Sequence, residues 1–143
     1  MKLELTSDPQ LMCVVRSAVE QFAAVAGFAE AECRAIVLAV DEALTNVIRH
    51  AYGNRHDQGI EISFRRVGAG ERDRAGVEIE IVDHGKSADP EALRGRSLED
   101  VRPGGLGTHL IAQAMDEVCY EPRGDRNRLL LVKYLGAKTG RGE

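Results

Sequence analysis

The chain has 143 residues, 43% of them hydrophobic, and a formal net charge of −4 with both signs scattered along it. That is long enough for one domain with a real core, too apolar for disorder, and without the basic stripe that nucleic-acid binding requires. No apolar run approaches the roughly 20 residues that span a bilayer, and three well-separated cysteines with no leader pattern predict one soluble, cytoplasmic domain over residues 1–143.

In chain order, "KLELTSDPQ" reads as a short alternating strand and then a helix start. Asp8 is a capping residue, and Pro9 suits the first helical position because its missing N–H is not needed there. Leu11, Val15, Val19, Phe22 and Val25 follow at helical spacing, and Gly27 marks the stop. A second helix is predicted from about Ala29 to Tyr52, ending at Gly53. "IEISFRRV" and "GVEIEIVDHG" alternate with period two and predict strands, joined by the glycine- and charge-rich "GAGERDRAG" as a hairpin loop.

Residues 85–105 carry Gly85, Gly95, Gly104 and Gly105, two prolines and little apolar periodicity. A loop of that length inside a compact domain is usually functional. "LGTHLIAQAMDEV" then predicts a helix with Leu106, Leu110, Ile111, Ala114, Met115 and Val118 on one side, and "VCYEP" and "NRLLLVKYL" close the chain as strands. The order β-α-α-β-β-loop-α-β-β predicts an α+β domain in two layers. Cys13, Cys33 and Cys119 each sit in apolar runs and are expected to be small buried hydrophobes.

Candidate chemistry begins in "LAVDEALTNVIRHAYG", where Glu42, Asn46 and His50 recur at four-residue steps. Helical residues advance by about 100°, so with Glu42 at zero Asn46 lies at about 40° and His50 at about 80°. Ile36, Val40, Leu44, Val47 and Ala51 cluster on the opposite side. Periodicity alone leaves two readings open: a solvated stripe, or one wall of a cleft. Leu38, Ala39 and Ala43 flank the row, so that face is not uniformly polar. A carboxylate and an amide one turn apart suit phosphoryl transfer: Glu42 to accept a hydroxyl proton, Asn46 as a hard oxygen ligand for Mg²⁺. His50 lacks metal-ligand partners, because His56 lies past the helix-ending glycine and His84 and His109 are in other segments. Its expected role is a cap or a polar contact.

Two later stretches carry the other candidates. Asp83 ends a strand, and Gly85 two residues on permits close backbone approach. The pair reads either as a plain Asp-x-Gly turn or as a carboxylate held in a pocket to accept from an exocyclic amine. In "RPGGLGTHL", Gly104, Gly105 and Gly107 free the backbone ahead of a helix N-terminus, whose unpaired N–H groups attract phosphate. No Gly-Lys-Ser/Thr follows, and no strand immediately precedes the glycines, so neither the phosphate-loop lysine motif nor the dinucleotide fingerprint is present.

Taken together, the E-x-x-x-N-x-x-x-H helix, the D-x-G after a strand and the G-G-x-G opening a helix resemble the ATP-binding superfamily shared by histidine kinases and the gyrase ATPase domain. Within it, "VDHGKSADP", "GGLGTHLIAQAMDEVCYE" and "NRLLLVKYL" look most like the small serine/threonine kinases that act as anti-sigma factors in bacterial partner switching. The likeness runs from about residue 8 to 135. No phosphoacceptor helix precedes the domain, which disfavours a self-phosphorylating histidine kinase.

The resemblance implies a two-layer α/β sandwich of the Bergerat type, its mixed, mostly antiparallel sheet covered by helices on one face. It implies ATP and Mg²⁺ as cofactors, a sigma factor and a STAS-type antagonist as protein partners, and a possible homodimer. Residue by residue, it makes Glu42 the general base, Asn46 the Mg²⁺ ligand, Asp83 the contact to the adenine amine and Gly85 the shaper of the adenine pocket. Gly104, Gly105, Leu106, Gly107 and Thr108 hold the phosphates beneath a lid of about residues 85–105, with Arg102 a phosphate contact or a plain solvated charge. Arg126-Asn127 stands where the family often has Gly-Thr, so Asn127 substitutes for the threonine; Thr108-His109 replaces commonly apolar residues. A non-catalytic nucleotide-binding regulator and a detached histidine-kinase catalytic domain are the alternatives.

Overall fold

The computed structural model describes residues 1–72, 74–88 and 106–136. The elements run β1 (Lys2–Thr6), a 3-10 turn (Pro9–Leu11), α1 (Met12–Ala26), α2 (Glu30–Asn46), a π-helical turn (Val47–Ala51), β2 (Gly59–Val67), β3 (Gly76–Asp83), α3 (Leu106–Ala114), β4 (Glu117–Pro122) and β5 (Asn127–Tyr134). The five strands form one sheet in the order β1-β2-β3-β5-β4, and all four pairings are antiparallel. The domain is therefore α+β.

Local chemistry accounts for the boundaries. The Asp8 carboxylate accepts from the Gln10 N–H at 2.9 Å, with Pro9 at the first position of the turn. Gly27 closes α1 at φ 108°, a left-handed conformation that costs glycine little. Glu32 caps α2 by accepting the Ala29 N–H at 3.1 Å.

The core lies between the helices and one face of the sheet. Ile60, Ile62 and Phe64 of β2 and Val77, Ile79 and Ile81 of β3 are buried there with Val15 and Val19 of α1 and Ile36, Val40 and Leu44 of α2. Alternate strand positions carry charge instead: Arg65 pairs with Glu71 and Glu78, Arg72 with Glu78 and Glu117, and Arg128 with Glu80 and Glu121. A shallow groove on that side is lined by Ser63, Arg65, Glu78, Glu80, Arg128 and Leu130, its charges largely neutralised by one another.

Several expectations are corrected. Val25 is 71% exposed, because the buried positions of α1 are Met12, Val15, Val19 and Ala23, and Val25 comes about 200° round from Ala23. Only Cys33 is buried; Cys13 lies one step past the buried Met12, and Cys119 is on the edge strand β4, so both are exposed. The predicted helix over 106–118 ends at Ala114. Met115 still donates to Ile111, but the Asp116 N–H is taken by Val132 of the sheet, and Val118 becomes a strand residue. The second helix runs as α-helix only to Asn46. One π turn then carries it to Ala51, with the Tyr52 N–H bonded to the Val47 carbonyl at 2.9 Å. The predicted lid of 85–105 lies outside the described residues from 89 onward.

Candidate nucleotide site

β3 is the middle strand of the sheet, so its last residue, Asp83, falls between two neighbours. It faces Ile60 of β2 on one side and Asn127 of β5 on the other. Asp83 is 5% exposed and Asn127 1%. A buried carboxylate is costly unless hydrogen-bonded, and here Oδ1 accepts from both the Gly85 N–H and Asn127 Nδ2, each at 2.8 Å. Asn127 Nδ2 also donates to the Gly85 carbonyl at 3.0 Å, and its Oδ1 accepts from Ser87 Oγ at 2.7 Å. Among the described residues no buried side-chain nitrogen or oxygen lacks a partner. Both of these Asp83 bonds fall on Oδ1, and among the described residues none donates to Oδ2.

Glu42 and Asn46 sit on α2, which packs against both α1 and α3. Both are half-buried, and their neighbours Ala39 and Ala43 are 0% and 1% exposed. The face is therefore not a wet stripe. Among the described residues neither the Glu42 nor the Asn46 side chain makes a hydrogen bond or ion pair. This leaves a carboxylate and an amide oxygen available one turn apart. His50 is exposed, lies in the π turn, and likewise makes no such contact. The π turn shifts the helical phase after Asn46, so the four-residue row ends there.

Beyond the π turn, helix and sheet end are joined. The Ala51 carbonyl accepts the Lys86 N–H at 2.8 Å. The Tyr52 hydroxyl accepts the His84 N–H at 2.8 Å and donates to the Gly59 carbonyl at 2.5 Å. Burial pushes the Tyr52 phenol above its ordinary range, with the charge of Asp83 adding to the shift, so it stays protonated and able to donate at neutral pH. Gly85 packs so closely that a Cβ there would lie 2.7 Å from the Ala51 carbonyl carbon and 2.8 Å from Tyr52 Cδ1. The close approach it permits is thus to the protein's own helix end. On the far side, Tyr120 accepts the Ala88 N–H at 2.9 Å. Tyr52, Ser87 and Tyr120 are supporting residues that sequence reasoning missed; Tyr52 was visible only as the last residue before a helix-ending glycine.

Residues 5–133 match the model of the histidine kinase-like ATPase domain. The chain belongs to that family. Among relatives of this histidine kinase-like ATPase domain, the serine/threonine-protein kinase BtrW of Bordetella bronchiseptica is 34% identical over 69% of this chain and 68% of its own. The serine-protein kinase RsbW of Listeria innocua is 29% identical over 95% of this chain and 87% of its own. A crystal structure of the RsbU and RsbW domains of a Mycobacterium tuberculosis protein superposes with a TM-score of 0.65 at 16% identity. It covers 94% of this chain, which spans about a third (32%) of that longer one, and it speaks to the fold alone.

In this ATPase domain the predicted site residues fall into three groups. Asp83, Gly85 and Asn127 are brought together by direct hydrogen bonds. Glu42 and Asn46 lie on α2, the element whose far end is clipped to that group through Ala51 and Tyr52. Leu106, Gly107 and Thr108 form the first turn of α3, while Arg102, Gly104 and Gly105 lie outside the described residues. No cluster of three His, Cys, Asp or Glu side chains suited to a metal occurs among the described residues. Asn46 fits the other way of holding Mg²⁺, as a hard oxygen donor acting together with substrate phosphates. The described residues also contain no helix long and apolar enough to cross a membrane.

Proposed function

We propose that this chain is an ATP-dependent protein serine/threonine kinase that acts as an anti-sigma factor in partner switching. It sequesters a sigma factor and phosphorylates a STAS-type antagonist of the anti-sigma factor, in the cytoplasm. The observation that carries the reading is the buried Asp83, whose Oδ1 accepts from Gly85 and Asn127 while no described residue donates to Oδ2. A carboxylate so held selects an exocyclic amine such as that of adenine. Kinship with serine kinases supplies the acceptor class.

In the reaction, the acceptor serine oxygen bonds to the γ-phosphorus, the bond to the β,γ-bridging oxygen breaks, and ADP leaves. Glu42 takes the serine proton; among the described residues its carboxylate has no partner. Asn46 would hold Mg²⁺, which supplies neutralisation of phosphate charge when bound. Asp83 and Gly85 orient the base, and the first turn of α3 presents N–H groups toward anionic oxygens. A homodimer belongs to the same reading, with the exposed side of residues 3–19, including Val14 at 56% exposure, as its candidate surface.

Incubation with ATP, Mg²⁺ and a cognate antagonist is expected to place acid-stable phosphate on an antagonist serine. Acid-labile phosphate on the partner would assign histidine-kinase chemistry instead. Capture of an antagonist without any transfer would make the chain a binding module. Asn46→Ala is expected to weaken ATP binding in Mg²⁺ on the order of 100-fold, down to the affinity the wild type shows in EDTA. Isothermal titration with and without Mg²⁺ checks this, and unchanged affinity in Mg²⁺ would remove Asn46 from the metal site.

A further inference from the structure

The β2–β3 ladder stops at the pair Ile60↔Asp83. Continued by one register step, Gly59 would face His84 and their backbone groups would bond directly. Instead, the Tyr52 oxygen stands between them, accepting the His84 N–H at 2.8 Å and donating to the Gly59 carbonyl at 2.5 Å. A side-chain hydroxyl thus serves as the last rung, and the two strands are held apart by its thickness. The same residue's ring lies against Gly85, and the adjoining Ala51 carbonyl holds the Lys86 N–H. Three consecutive residues, 84 to 86, are therefore clipped to the end of α2 immediately after Asp83.

We propose that Tyr52 is a positioning residue for the nucleotide base. By replacing the closing rung of the ladder, its phenol turns His84–Gly85 out of the sheet and toward α2, which sets the direction of the Asp83 carboxylate. The hydroxyl is the necessary part. A benzene ring alone fills the same space but offers no acceptor to the His84 N–H and no donor to the Gly59 carbonyl. Those groups then pair with each other, closing the ladder by one rung and drawing Gly85 and Asp83 away from α2, or they lose their protein partner. The inference rests on the reading of Asp83 and Gly85 as the base wall. It distinguishes that wall from the phosphate side, since the Tyr52 hydroxyl bonds to Gly59 and His84.

Tyr52→Phe tests it. Titration is expected to show ATP affinity about tenfold weaker, while Mg²⁺–tripolyphosphate, which has no base, binds the variant and the wild type alike. A purely structural role would weaken both ligands in parallel, and that result would overturn the proposal. Equal ATP affinity in variant and wild type would overturn it too, leaving the nucleotide site itself intact. A wild type that binds no ATP would instead overturn the site. Should the variant fail to fold, amide exchange on the wild-type chain decides. The His84 N–H is expected to be protected without nucleotide, and exchange at the rate of an exposed amide would overturn the rung.

Discussion

Glu42→Ala is expected to slow phosphate transfer to a cognate antagonist by about 10²–10⁴-fold, the range in which a positioned general base contributes, while ATP affinity stays at the wild-type level. The expectation follows from what surrounds the residue. Glu42 is half-buried beside Ala39 and Ala43, and its side chain makes no hydrogen bond or ion pair among the described residues. Nothing in the described fold depends on its carboxylate, so truncation should leave the thermal midpoint nearly unchanged. Single-turnover transfer and ATP titration on the same preparation separate the two effects. Transfer as fast as wild type would remove Glu42 from the chemistry.

Asp83→Asn should have the largest effect on binding: ATP affinity is expected to fall about 100-fold, with folding little changed. The geometry makes the substitution selective. An asparagine oxygen in place of Oδ1 still accepts from the Gly85 N–H and from Asn127 Nδ2, so the internal network survives. Its NH₂ then stands where Oδ2 was. A donor now faces the exocyclic amine of adenine, itself a donor, and the contact is lost. A purine with a carbonyl at that position, as in ITP, presents an acceptor to the same NH₂. The ratio of ITP to ATP affinity should therefore rise in the variant. A parallel loss for both nucleotides would mean that Asp83 supports the site without touching the base.

Much of the fold was legible locally. Period-two alternation marked β2 and β3, and the Asp8–Pro9 and Gly27 signals sit where a helix begins and ends. The misreadings share one cause. Val25 fits a helical apolar series as well as Val15 does, and Val118 continues the spacing of α3, yet one is exposed and the other is on an edge strand. Spacing describes how a side chain lies relative to its own element; whether anything covers that side depends on other elements. The Glu42–Asn46 row shows the converse. A pattern compatible with a solvated face is half-buried, because α2 is covered by both α1 and α3.

The sequence by itself determined the element types and their order, the residues able to cap or break them, and a short list of candidate polar groups for a nucleotide and a proton. These depend on contacts within a few residues, or on motifs that survive as strings. Tertiary structure alone decided how those groups meet. Asn127 reaches Asp83 across 44 residues only because β5 inserts beside β3. Gly85 is confined by Ala51 and Tyr52, and the Tyr52 phenol ends the ladder between β2 and β3. Strand order and a π turn set those distances, and both arise from packing the whole chain into one core, where a residue's partners are fixed by space instead of by spacing.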